Sequence, residues 1–124
     1  MPEPRVIPIY TSKGDAEAFL VYPYLYNRSG EWIGFVTADR KVYSVLGRYV
    51  GYLTDGPRIV RRRGTGSLEP PRQPPPAPPR LLPPATVPLA PLMSELPYTL
   101  MDVLLEEPEL LHTLDSGELR EDMD

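Results

Sequence analysis

Four arginines fall within six residues: Arg58, Arg61, Arg62 and Arg63. A guanidinium offers several donors in a planar fork, so such a cluster can hold a phosphate or an acidic peptide. The same spacing also suits a charged turn that keeps a sheet edge in water. Side-chain catalysis needs a nucleophile, acid or base brought together with a partner. The single histidine, His112, lies among Leu110, Leu111 and Leu114 with no Asp/Ser constellation at a recognisable spacing, and reads as a surface residue. There is no cysteine, so neither a disulfide nor a thiolate metal site can form. Gly64-Thr65-Gly66 is too short for a phosphate loop, and no helical pattern follows it. The expectation is a protein that is not an enzyme, with no catalytic residue, metal or cofactor. Among the aromatics, Tyr10, Tyr26 and Tyr43 recur in register and read as core. Tyr22, Tyr24 and Tyr49 fall outside that register and are candidates for a stacking or peptide-binding surface.

These residues sit within a repeat. Ile9-Tyr10, Leu25-Tyr26, Val42-Tyr43 and Ile59-Val60 open four units spaced 16, 17 and 17 residues apart. Each is followed at the same interval by a glycine, Gly14, Gly30, Gly47 and Gly64. A second small residue, Ala18, Gly34 or Gly51, then precedes Phe19-Leu20, Phe35-Val36 or Tyr52-Leu53. Two β-favouring apolar runs around a segment such as Asn27-Arg28-Ser29-Gly30 read as a β-hairpin, with the glycine in the left-handed conformation. The second glycine, inside a strand, marks a bulge or a close backbone approach. By this register Arg61–Arg63 occupy a hairpin tip. The fourth unit has no return strand after Gly64. Arg5-Val6-Ile7 could fill the gap, or an edge could stay open for a partner. A domain of about 60 residues buries only ~60% of its unfolded surface, so the hairpins must close on each other or on a second chain.

The stretches Leu25–Val36 and Val42–Leu53 resemble the bacterial four-fold β-flower family, in which four short β units sit like petals around a pseudo-fourfold axis. The resemblance implies an all-β fold of repeated hairpins over about half the chain, and no mechanism. Ala18 in place of glycine and the truncated fourth unit depart from perfect fourfold symmetry.

Composition changes sharply after the repeat. Eleven of the eighteen prolines lie between Pro70 and Pro91, while eight of the nine glycines precede Ser67. Residues 1–64 hold ten basic and six acidic side chains, and residues 65–124 hold three and eleven. The expected organisation is a β-hairpin repeat domain over 1–68, a polyproline II linker over 69–93 with little packing of its own, and an acidic tail over 94–124. Pro71-Arg72-Gln73-Pro74 and Pro76–Arg80 have the look of groove ligands, though a spacer is the stronger reading. In the tail, Thr99 and Asp102 resemble a capping pair and Pro108 suits the first turn of a second helix. Leu100, Leu104, Leu111 and Leu114 are the candidate docking side chains there, joined on the same face by Leu96, Val103 and Leu110. The tail would fold only against the repeat domain or a separate protein.

The functional expectation is an interaction or scaffold module that engages a protein partner, or its own head, through the acidic tail. The alternative is a domain that binds a small or anionic ligand, or nucleic acid, at the symmetry centre or the arginine tip. Nucleic acid is disfavoured by the low arginine density elsewhere, and homo-oligomerisation would be one way to close the ring. No apolar run approaches the ~20 residues that span a bilayer, and the N-terminus lacks a basic start and apolar stretch, so a cytoplasmic location is expected.

Overall fold

A computed structural model describes residues 5–64 and 69–115. Seven strands alternate with tight turns: β1 (Ile7–Tyr10), β2 (Ala16–Val21), β3 (Tyr24–Asn27), β4 (Trp32–Val36), β5 (Lys41–Ser44), β6 (Tyr49–Leu53) and β7 (Ile59–Arg62). An eighth, β8 (Leu100–Asp102), leads directly into a one-turn helix, α1 (Val103–Glu106), and a 3-10 turn at Pro108–Leu110. All eight strands form one antiparallel sheet in chain order, curled like a half-barrel.

The repeat is the physical basis of this sheet. Neighbouring residues on a strand point to opposite faces. Ile9, Leu25, Val42 and Ile59, which open the four units, are all completely buried on the inner face. The cross-strand pairs Leu20–Leu25, Val36–Val42 and Leu53–Ile59 repeat around that face and build the core. Burying each such side chain contributes about 1.5–3 kcal/mol. The next residue along, Tyr10, Tyr26 or Tyr43, is buried on the other face, where Tyr26 pairs with Phe19 and Tyr43 with Phe35. The Phe35 and Tyr43 rings stack 5.2 Å apart.

The repeated glycines behave as their register requires. Gly14, Gly30, Gly47 and Gly64 have φ of 90°, 87°, 84° and 80°. At the first three, the glycine N–H donates to the carbonyl of Thr11, Asn27 or Ser44, which closes the turn. Gly34 and Gly51 lie beside the bulges in β3–β4 and β5–β6, and a Cβ there would stand 2.4 Å from the Tyr43 carbonyl and 2.2 Å from that of Val60.

The fourth unit departs from expectation. Its return strand is neither Arg5–Ile7 nor an open edge. Ile7 belongs to β1 and pairs with Leu20, while β8 supplies the missing strand, with Arg61 opposite Met101 and Arg62 opposite Leu100. A chain segment 37 residues beyond β7 therefore completes the sheet. Arg61 and Arg62 consequently lie within a strand and not at a hairpin tip. The boundary expected at residue 68 divides pieces that share this sheet.

The proline-rich segment also differs from a free spacer. It carries no helix or strand between 70 and 97, yet it runs back over the hairpin tips in reverse order. The Arg72 N–H donates to the Gly47 carbonyl and the Leu81 N–H to that of Gly30, both at 2.9 Å, and Ala90 lies against Gly14. Lys41 pairs with Glu69 at the start of this strap, and Arg80 donates to the Ser29 carbonyl. The strap has a nine-residue period of its own: Arg72, Leu81 and Ala90 face successive tips, Pro74 and Pro83 follow two residues later, and Pro79, Pro88 and Pro97 recur at the same interval. One short repeat is thus laid across another, each step of nine residues spanning one petal.

Candidate functional site

The curled sheet brings its two edges together at a polar seam. The Tyr10 N–H, in β1, donates to the Pro57 carbonyl at 3.0 Å. Asp102, the last residue of β8, is 2% exposed and accepts from both the backbone N–H and the hydroxyl of Ser12, at 2.5 and 2.7 Å. The Ser12 hydroxyl in turn accepts from Arg58, whose other terminal nitrogen donates to the Ser94 carbonyl. Arg58, only 7% exposed, thus sits at the join of the first hairpin, the last strand and the strap's end. Such a chain of charge-assisted hydrogen bonds holds buried charges that would be costly alone. Asp102 stands at the N-cap of α1 but makes no side-chain cap bond, so the pairing with Thr99 expected from the sequence is replaced by the bond to Ser12.

The other candidate arginines are also committed to structure. Arg61 donates to the carbonyls of Tyr49 and Val50, across β6. Arg63 donates to the Tyr98 carbonyl and forms a 2.8 Å bridge to Glu106. That bridge holds the Glu106 carboxyl below the usual range and the Arg63 guanidinium above its own, the direct hydrogen bond being the main cause in each. Arg62 is exposed. The structure therefore spreads the arginine cluster over a seam, a strand face and a tail contact, and does not gather it into one anion cradle.

Of the three candidate tyrosines, Tyr24 and Tyr49 lie on the outer face of the sheet, at the two ends of the cross-strand row Tyr24–Phe35–Tyr43–Tyr49. Tyr22 is exposed in the β2–β3 turn, Tyr24 packs edge-on to Trp32 at 6.3 Å, and Tyr49 packs edge-on to Tyr43 at 5.8 Å. Burial, reinforced by the charge of Glu69, pushes the Tyr49 phenol above its ordinary pKa.

The tail leucines divide by depth. Leu100 is half-buried in β8, Leu104 packs against the core, Leu111 is buried and Leu114 is exposed. Leu111 rests against Gly34, where an added Cβ would lie 2.9 Å from its Cδ2. With Val103, which is completely buried, it fills the inner face of the sheet, so the symmetry centre is occupied by the chain's own side chains. Pro108 does open the 3-10 turn, as its position suggested. His112 is half-buried beside the Thr113 carbonyl.

Sequence reasoning missed the outward side of the strap. Leu82, Leu89, Leu92 and Tyr98 are 89%, 96%, 105% and 91% exposed. From Leu81 to Met93 the strap carries no charged residue at all. The nine-residue recurrence of the prolines was the available signal, since a free spacer needs no period.

A model of the 4-fold beta flower protein family matches residues 7–99, which takes in β1 to β7 and the strap. The chain belongs to the 4-fold beta flower family. No curated protein and no solved structure matches it. The β-flower match stops just short of β8, whose ladder to β7 is known from the structure alone. No helix among the described residues is long and apolar enough to cross a membrane.

Proposed function

We propose that this β-flower protein is a non-enzymatic interaction module, with the outer side of the strap as its contact surface. The observation that supports this most is the near-complete exposure of Leu82, Leu89, Leu92 and Tyr98 on a strap tied down at its other side. Isolated exposed leucines are ordinary, but several along one uncharged, anchored segment favour contact with another protein. Anchoring also lowers the ordering cost that a free proline-rich segment would bear on binding. The polar groups with chemical potential, Ser12, Arg58, Arg63 and Asp102, have roles in closing the fold, which favours a scaffold over a catalyst.

The test is recruitment by the full chain, compared with a variant carrying Leu82→Ser, Leu89→Ser, Leu92→Ser and Tyr98→Ser. A protein retained by the wild type should be lost from the variant, whose melting temperature should stay unchanged because these side chains pack on little. Equal recruitment by both would place the contact elsewhere. Turnover of a substrate by the wild type would replace the module reading with an enzymatic one.

A further inference from the structure

The strap meets two hairpin tips in one way and the third in another. At Gly47 and Gly30 the tip carbonyl accepts a strap N–H at 2.9 Å. The strap carbonyl of the same residue, Arg72 or Leu81, presses on the bare Cα, since a Cβ there would lie only 2.0 or 1.9 Å away. Two residues on, Pro74 or Pro83 brings its Cδ to 3.4 Å from that Cβ position. Both glycines are buried as a result. This is a reading geometry for extended chain: a residue with a free N–H, any residue, then a proline.

Gly14 has the same backbone, with φ of 90° and the same turn bond to Thr11. It lacks the strap hydrogen bond and the pressing strap carbonyl. The nearest strap atom is the Ala90 Cβ, 3.8 Å from the Cβ position, and Gly14 is exposed. No strap N–H reaches its carbonyl among the described residues. The strap is pinned beside it by the Tyr10 hydroxyl, which donates to the Pro88 carbonyl at 2.8 Å. The strap's sequence departs at the same place: Leu92 stands where Pro74 and Pro83 stand in the other two steps, and it points away from the protein fully exposed.

We propose that the first hairpin tip, Thr11–Asp15, together with Leu89 and Leu92, binds an extended proline-rich peptide of another protein, one that carries a free N–H residue followed two positions later by proline. The assignment rests on the interaction-module reading and names the partner's chemistry. The tip carbonyl supplies an acceptor that wants an N–H, the bare Cα accepts a close carbonyl, and the exposed leucines offer apolar contact to proline rings. Lys13 and Asp15 flank the tip with opposite charges, so it favours no charged ligand. A proline-rich chain is already near its extended form and loses little freedom on docking.

The probe is a synthetic peptide with the sequence of residues 70–84, which holds the Arg72-Gln73-Pro74 and Leu81-Leu82-Pro83 steps that meet Gly47 and Gly30, titrated into the isotope-labelled full chain. Amide shifts should concentrate at Thr11–Asp15 and Leu89–Leu92. Replacing Gly14→Asn, which tolerates a left-handed backbone but adds a side chain, should raise the dissociation constant at least tenfold while the spectrum elsewhere stays that of a folded chain. Replacing every proline of the peptide by alanine should have a similar effect. Shifts confined to Gly30 and Gly47 would mean that the peptide merely displaces the strap, and would overturn the proposal. So would binding that Gly14→Asn leaves unchanged, or no binding at all. A wild type that still recruits a protein through Leu82 and Tyr98 would then keep the module reading while this site is abandoned.

Discussion

The first three petals and the fourth are built from the same repeat and closed by different means. In the first three, the return strand follows the turn within a few residues, so each hairpin forms locally. In the fourth, β7 waits for β8, which arrives only after the strap has crossed the other three tips. Closing a long loop costs more entropy than closing a short one, although the cost rises slowly with length. The strap offsets part of that cost by being tied down at Gly47, Gly30 and Tyr10 on its way. The lesson is that the β-flower is not a domain with a tail attached: the segments that look like appendages complete its sheet and fill its centre.

Removing β8 and the residues after it should have the largest effect. Ending the chain after Thr99 takes away Met101, Val103 and Leu111, which are 9%, 0% and 6% exposed. At about 1.5–3 kcal/mol each, their loss is comparable with the 5–15 kcal/mol total stability of a typical domain. The truncated chain should lose its cooperative melt, followed by circular dichroism. An unchanged melt would mean that the first three petals stand alone.

The seam should respond to single substitutions. Asp102→Ala leaves Arg58 buried without the carboxylate that Ser12 relays to it, and should cost about 3 kcal/mol in denaturant unfolding. Ser12→Ala removes the relay but keeps both charges, and should cost about 1–2 kcal/mol. A smaller loss for Asp102→Ala than for Ser12→Ala would contradict the buried-charge account.

The three hairpin tips should differ among themselves. Gly14→Ala bears only the strain of a left-handed backbone, about 1–2 kcal/mol. Gly30→Ala and Gly47→Ala bear that strain and must also push back a strap carbonyl, adding about 1–3 kcal/mol. Equal losses at all three sites would show that the strap does not press on its tips.

The smallest effect concerns the bridge between Arg63 and Glu106. Hydrogen bonding to Arg63 lowers the folded-state pKa of Glu106 below its unfolded value. Its contribution is therefore full above the ordinary glutamate range and fades as pH falls through the lowered pKa. Both side chains are more than a third exposed, so solvent screens most of the interaction. Arg63→Ala should lower the neutral plateau of the stability curve slightly and flatten its acid limb, the two curves converging at low pH. Identical curves for the two proteins would show that the bridge contributes nothing.

Much of the fold was legible because short repeats carry their own internal controls. Ile9, Leu25, Val42 and Ile59 recur at one spacing and prove equally buried, and the four turn glycines share one backbone conformation. The eighth strand was hidden because Leu100-Met101-Asp102 is short, ends in a carboxylate, and sits among acidic residues far from its partner. Asp102 reads as surface until Ser12 and Arg58 are seen beside it. The arginines misled for a related reason. Hairpin register places Arg61–Arg63 at a tip only if the return strand is local, and here it is not. Proline-rich composition signalled a segment without helix or strand but concealed the anchors, which are backbone groups that sequence pattern does not display.

Residues 100–102 form the return strand of the fourth petal. Nuclear Overhauser effects across the β7–β8 ladder test this pairing most directly, at the pairs Val60–Asp102, Arg61–Met101 and Arg62–Leu100. Cross-strand signals there should be as clear as those between β5 and β6. Signals across β5–β6 with none linking β7 to residues 100–102 would contradict it.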